Sequence, residues 1–282
     1  MIFPRWLPCA VAASWASLAG AIEVDRSGGP YVPTPPAVVN AMLELARVGP
    51  RDTVIDLGSG DGRIVLAAAT RHGARGTGVE IDPELVARAN AAARRAGIAD
   101  RARFVHQDVM MADLSRATVV TLYLMPGMMA RLRPKLLAEL RPGTRVVSHD
   151  FRFDAWKPDR TMTFETPEKY ELAGGWTSDV HLWIVPATVR GEWRIERSGR
   201  RAETSRLEIR QGFQRVEGRI WAGGQAVLLR DARLEGNRLT FVVARGNGRR
   251  ERYTATVAGD RMEGEVRDGE TVIARWSAAR VP

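Results

Sequence analysis

Residues 54–63, VIDLGSGDGR, restrict the fold of this chain more than any other stretch. Val54, Ile55 and Leu57 read as the end of a buried strand. Asp56 stands at its carboxyl edge, and Gly58, Gly60 and Gly62 form a tight turn into the apolar helix IVLAAAT. Glycines in that turn let the backbone approach a ligand closely, and the helix start offers N–H groups that have no partner of their own. Strand, glycine-rich turn and helix in succession describe the nucleotide crevice of a doubly wound α/β sheet.

The spacing says which nucleotide. A dinucleotide site takes G-x-G-x-x-G, whereas this run is D-x-G-x-G-x-G, with a carboxylate two residues ahead of the first glycine. A carboxylate there repels a pyrophosphate but suits a ligand that carries an ammonium group and a sulfonium, as S-adenosylmethionine (SAM) does. The next strand, TGVEID, ends in Glu80, roughly two dozen residues past Asp56 and near the offset expected for an acid that takes a ribose diol. A third strand, RFVHQDV, ends in Asp108, placed to accept from an adenine amino group. Three successive strands that each end in a suitable acid imply a SAM site at Asp56, Gly58, Gly60, Gly62, Glu80 and Asp108.

The chain of 282 residues is long enough for two domains, and its composition is that of a globular protein. Its net charge of +9 is almost wholly arginine, since lysine occurs only at Lys135, Lys157 and Lys169. Between residues 188 and 282 there are 20 arginines against 13 acids, so most of the excess lies in the last third, where an anionic partner is one reading. At the other end, Arg5 followed by LPCAVAASWASLAGA and Ala19-Gly20-Ala21 reads as an export signal or membrane anchor over residues 1–21. The expected localisation is therefore exported or membrane-associated through residues 6–22, and cytoplasmic if the segment does not act as a signal. Cys9, the only cysteine, lies inside it, so a cleaved chain has no disulfide.

From residue 22 to 187 the pattern alternates strands with helices. A helix is predicted over 37–47 with Thr34 as its N-cap, and Asp82-Pro83 opens another. Strands RFVHQD, ATVVTLYL and TRVVSHDF follow, and 161–186 supplies the last strands of a Rossmann-like sheet. After Pro186 the pattern changes to eight short amphipathic segments at roughly 10-residue spacing, an antiparallel meander that predicts a small β-barrel over 188–282. Trp193, Trp221 and Trp276 are expected to fill its interior.

The segments YVPTP, DLGSGDGRIVLAA, GVEIDPELV and PKLLAELRPGTRVVSHDF, with the pair Trp156 and Pro158, resemble the seven-strand lysine methyltransferases that modify the mitochondrial ATP-synthase c-ring protein and adenine nucleotide translocase. The resemblance covers about residues 30–187. It implies that Asp56, Gly58, Gly60, Gly62 and Glu80 bind SAM, and that Tyr31 and Thr34 belong to a loop closing over its methionine end. It also implies a protein lysine side chain as the methyl acceptor. The barrel and the N-terminal segment depart from that family.

Methyl transfer from a sulfonium asks the protein chiefly to align an acceptor lone pair and exclude water. Tyr123 and Pro126, then His149 and Asp150, follow the fourth and fifth strands and stand where open α/β sheets place ligands. Tyr123 and His149 are the catalytic candidates, with His149 able to accept a proton near neutral pH, although a core aromatic and a satisfied strand-end histidine explain them equally simply. The four histidines are scattered and no metal-ligand spacing exists. A small-molecule methyltransferase and a non-catalytic SAM-fold binding protein stay open as alternatives. Nucleic-acid methylation ranks lower, because LYLMP lacks the Asn/Asp-Pro-Pro-Tyr/Phe run of amino-methylating nucleic-acid enzymes.

Overall fold

The computed structural model describes residue 29 and residues 31–198, 203–222, 224–246 and 248–282. The expected signal or anchor, residues 1–21, lies outside the described residues.

The first unit is a seven-stranded sheet made of β1 (Thr53–Leu57), β2 (Arg75–Glu80), β3 (Ala102–His106), β4 (Val119–Leu122), β5 (Arg145–His149), β6 (Arg160–Glu165) and β7 (Thr177–Ile184). The spatial order is β3-β2-β1-β4-β5-β7-β6, and β7 runs antiparallel to both neighbours. Helices α1 (Pro36–Leu45), α2 (Arg63–His72), α3 (Pro83–Arg95) and α4 (Pro126–Glu139) pack on the sheet. The central strands are apolar on both faces: Val54, Val119 and Val147 join the core of α1 and α2, and Ile55, Val120 and Val146 join that of α4. Burial on both faces is why these strands read as continuous apolar runs instead of alternating ones. The order reverses between β1 and β4, so the crevice at their carboxyl ends is the switch point where such sheets bind ligands.

One local expectation holds and two fail. Asp82 caps α3, its Oδ1 accepting from the N–H groups of Glu84 and Leu85 with Pro83 at the first position. Thr34 does not cap α1. The helix begins at Pro36 behind Pro35 with no side-chain cap, and buried Thr34 offers its carbonyl to Arg63 instead. A short helix, α5 (Pro167–Ala173), also separates β6 from β7 where the sequence suggested only strands.

The second unit contains β8 (Gly191–Ser198), β9 (Glu203–Gly212), β10 (Arg215–Ala222), β11 (Gln225–Leu228), β12 (Arg230–Glu235), β13 (Arg238–Ala244), β14 (Arg250–Ala258), β15 (Arg261–Asp268) and β16 (Thr271–Arg280), all antiparallel. The order β11-β10-β9-β8-β16-β15-β14-β13-β12 curls into a nearly closed barrel, so the expected class holds with nine strands in place of eight. The extra strand arises because AVLLRDARL breaks at Leu229, whose N–H turns to the carbonyl of Gly218, and Asp231 beyond it has φ 50° at a register shift. Trp193 and Trp276 are buried with Phe241 and Tyr253 and fill the interior. Trp221 does not, because it lies half-exposed beneath the Arg206 guanidinium, 4.7 Å from its ring centre. Trp156 joins the units, its ring stacked on Phe213 at 5.9 Å and its indole N–H donating to Gln214 Oε1 at 3.1 Å.

Candidate active site

The glycine turn folds as its sequence requires. Gly58, Gly60 and Gly62 have φ of 79°, 53° and 85°, the left-handed region that L side chains avoid. Space is equally restrictive at Gly60, where a Cβ would come within 2.6 Å of the Tyr31 ring. The turn is pinned from the next strand, since the N–H groups of Gly58 and Ser59 donate to the carbonyl of Val79. Glu80 Oε2 accepts from Gly60 N–H at 2.8 Å, while its Oε1 accepts from Ile81 and Asp82 at 2.8 and 3.1 Å. The acid after the second strand therefore holds the turn in place as well as facing the crevice.

These residues line a cavity of about 450 Å³, within the range of small-molecule sites. Tyr31, Thr34, Asp56, Gly58, Gly60 and Glu80, six of the cofactor candidates, all face it. Asp56 is only 2 % exposed and accepts from the Thr121 hydroxyl at 2.7 Å. Burial pushes its carboxyl up to about 7; the Thr121 bond opposes the rise, and the charges of Glu80 and Asp61 add to it. Gly62 is outside the lining and acts at one remove, as the left-handed N-cap that starts α2. Asp108 also stands outside it. Its carboxylate caps a single 3-10 turn over Val109–Met111 by accepting from Met110 N–H at 2.9 Å.

The wall following the fourth and fifth strands brings Tyr123 and His149 together, their rings 4.0 Å apart, with Phe151 stacked on Tyr123 at 6.0 Å. Tyr123 and Phe151 face the cavity and His149 lies behind them. Burial, and then the Asp150 charge, pushes the Tyr123 hydroxyl above its usual range. His149 is fully buried. Burial takes it down to about 4, with the Asp150 carboxylate opposing the shift and the Lys169 ammonium adding to it. The expected proton acceptor near neutral pH is thus a neutral ring that holds a proton weakly. Asp150, at φ 57°, turns its Oδ2 to Lys169 Nζ at 2.7 Å and its Oδ1 to the N–H of Asp179 at 3.1 Å.

Residues 56–160 match the family described as the ANTKMT methyltransferase domain. A protein-lysine N-methyltransferase of Saccharolobus islandicus (strain REY15A) is 41% identical over 157 residues, which are 55% of this chain and 93% of that relative. The chain belongs to this methyltransferase family. The adenine nucleotide translocase lysine N-methyltransferase of Mus musculus is 36% identical over 54% of this chain, a match that spans 63% of the relative's own length. Among solved structures, an RNA methyltransferase from Salinibacter ruber in complex with S-adenosyl-L-homocysteine is 50% identical, with a TM-score of 0.51, over 56% of this chain and 96% of that one.

The methyltransferase's cavity fits SAM on its own chemistry. Its cradle is kept open by glycine, since a Cβ at Gly58 would meet Leu124 and one at Gly60 would meet the Tyr31 ring. Of the lining residues, Asp56 could hold the cationic end and Glu80 could accept from ribose hydroxyls.

Sequence reasoning missed Arg63 and Asp61, which close the methyltransferase's site from the side. Arg63 Nε and Nη2 meet Asp61 Oδ1 and Oδ2 at 2.9 and 2.7 Å, while Nη1 donates to the Thr34 carbonyl at 2.8 Å. Burial pushes Asp61 up, but the Arg63 guanidinium outweighs it and holds the carboxyl below its usual range. The DGR ending of the glycine run was the signal, and its meaning depended on the tertiary position of Thr34. Arg63→Leu is expected to free the 31–34 segment and weaken SAM binding about tenfold, the scale of a charge-assisted pair, with Tm nearly unchanged. Calorimetric titration with SAM, alongside a thermal melt, checks both.

Proposed function

We infer that this SAM-dependent methyltransferase modifies the side-chain amine of lysine in a protein. Its 41% identity across nearly the whole length of a relative named as a protein-lysine N-methyltransferase carries the reading. SAM supplies an electrophilic methyl group on a sulfonium with a neutral thioether leaving group. The chain's part is to place the acceptor nitrogen in line with that methyl and to keep water out. Tyr123 and Phe151 give the acceptor side an aromatic wall, and a neutral His149 behind it avoids repelling a cationic side chain. At a value of about 4, His149 is too weak a base to carry the amine's proton at neutral pH, so its role is to support the Tyr123 ring.

RNA methylation is the second reading, favoured by the description of the 50% identical Salinibacter protein. One experiment separates the two. The full chain and its Asp56→Ala variant are incubated with methyl-labelled SAM and cell extract, and label is resolved into protein, RNA and small molecules. Label on protein lysine that depends on Asp56 is the expected result. Asp56-dependent label confined to RNA would replace the reading.

A further inference from the structure

The α5 segment, between β6 and β7, is used neither by the cofactor side nor by the aromatic wall, yet it stands at the same edge of the sheet. It closes on itself through Thr166 N–H donating to the Trp176 carbonyl at 2.7 Å. It is joined to the acceptor side through Lys169, which reaches Asp150 Oδ2 at 2.7 Å and the Thr177 carbonyl at 2.5 Å. Asp150 follows His149, whose ring lies against Tyr123 in the cavity wall. On this segment Tyr170 and Trp176 stack on each other at 4.6 Å and 25° while remaining 52% and 60% exposed. A stacked aromatic pair left in solvent has apolar area to offer a partner.

Charge identifies the partner. In a chain of net +9, residues 161–180 hold Glu165, Glu168, Glu171 and Asp179 against the single cation Lys169, whose ammonium is taken by Asp150. Glu165, Glu168 and Glu171 are exposed, and their carboxylates have no hydrogen bond or ion pair among the described residues. A polyanion is repelled by such a surface, whereas a basic peptide gains ion pairs and cation–π contacts there.

We propose that the Tyr170–Trp176 pair, with the glutamates beside it, is the docking surface for the basic segment of the acceptor protein that carries the methylated lysine. The proposal rests on the lysine reading above and states where that acceptor is gripped. Lys169 fastens the surface to the cavity wall, so that a segment lying across the aromatic pair delivers its lysine toward Tyr123.

The test uses the full chain and methyl-labelled SAM with an immobilised library of short peptides that have a central lysine and randomised flanks, and with total RNA in a parallel reaction. Wild-type enzyme is expected to label peptides enriched in arginine, lysine and apolar residues beside the central lysine. Against the best such peptide, Trp176→Ala should raise KM about tenfold, the effect of losing one aromatic anchor, with SAM Kd and kcat within about twofold. The exposed pair Glu168→Gln and Glu171→Gln should raise KM for arginine-flanked peptides and flatten its salt dependence. Unchanged KM and flank preference in all these variants, with SAM binding intact, would overturn the docking surface while leaving lysine methylation standing. Labelled RNA with no labelled peptide from wild-type enzyme would overturn both together.

Discussion

Asp56→Asn is expected to make the cofactor-free protein more stable at pH 8 while removing most of its SAM affinity. The carboxyl is buried and pushed up to about 7 from 3.8, so the folded state holds its proton more tightly than the unfolded state. A raised folded value contributes stability that is fully present below pH 4 and is lost as pH rises through about 7. At pH 8 the ionised group therefore burdens the fold by something on the order of 2–4 kcal/mol. Asparagine keeps the shape, and its Oδ1 still accepts from Thr121. Melting the two proteins at pH 5 and pH 8 should show Asp56→Asn gaining several degrees at the higher pH and much less at the lower. Ligand binding runs the other way, because a cationic cofactor needs the charge. Wild-type SAM affinity should rise about tenfold between pH 6 and pH 8, following ionisation of a group near 7. The variant should bind at least ~100-fold more weakly and lose that pH dependence. Equal SAM affinity in both proteins would refute the placement of Asp56 at the cofactor.

Trp156→Ala should be the most damaging single truncation outside the cavity, costing about 3–5 kcal/mol. The side chain is fully buried and touches Phe153 and Trp183 in the first unit and Phe213 and Gln214 in the second. Its loss leaves a void and also leaves Gln214 Oε1 without its donor. Urea unfolding followed by fluorescence and by circular dichroism should change from coincident to separated transitions, since the barrel then unfolds apart from the sheet. Trp221→Ala, half-exposed under Arg206, is the contrast, with an expected cost of about 1 kcal/mol or less. Comparable losses from the two would mean that Trp156 does not couple the units.

What could be read from the sequence was local or periodic. The glycine run announced itself because left-handed φ values and a crowded cradle tolerate little else, and Glu80 followed at the expected interval. The change from alternating strands and helices to short amphipathic segments announced the second, all-β sheet. What was hidden depended on distant partners. Thr34 looked like a cap until Arg63 was found at its carbonyl, and the proton-accepting promise of His149 vanished because Tyr123 and the sheet bury it. The three barrel tryptophans could not be sorted by sequence, as the register that turns Trp193 inward and Trp221 outward is set by pairing across strands. The helix at 167–173 is too short for periodicity to reveal, and it supplies Tyr170, one half of the aromatic pair on which the acceptor proposal rests.

Among the described residues, the named contacts between barrel and sheet gather at one end of the barrel. The β9–β10 turn with Phe213 and Gln214, and Gly236, whose carbonyl accepts from Ala187 N–H, belong to that end. The β15–β16 reversal at 269–270 lies at the opposite end of the same strands. Length changes there leave the junction and the catalytic cleft untouched. That reversal is accordingly a place to graft a fluorophore, an affinity handle or a whole foreign domain at little expense to catalysis.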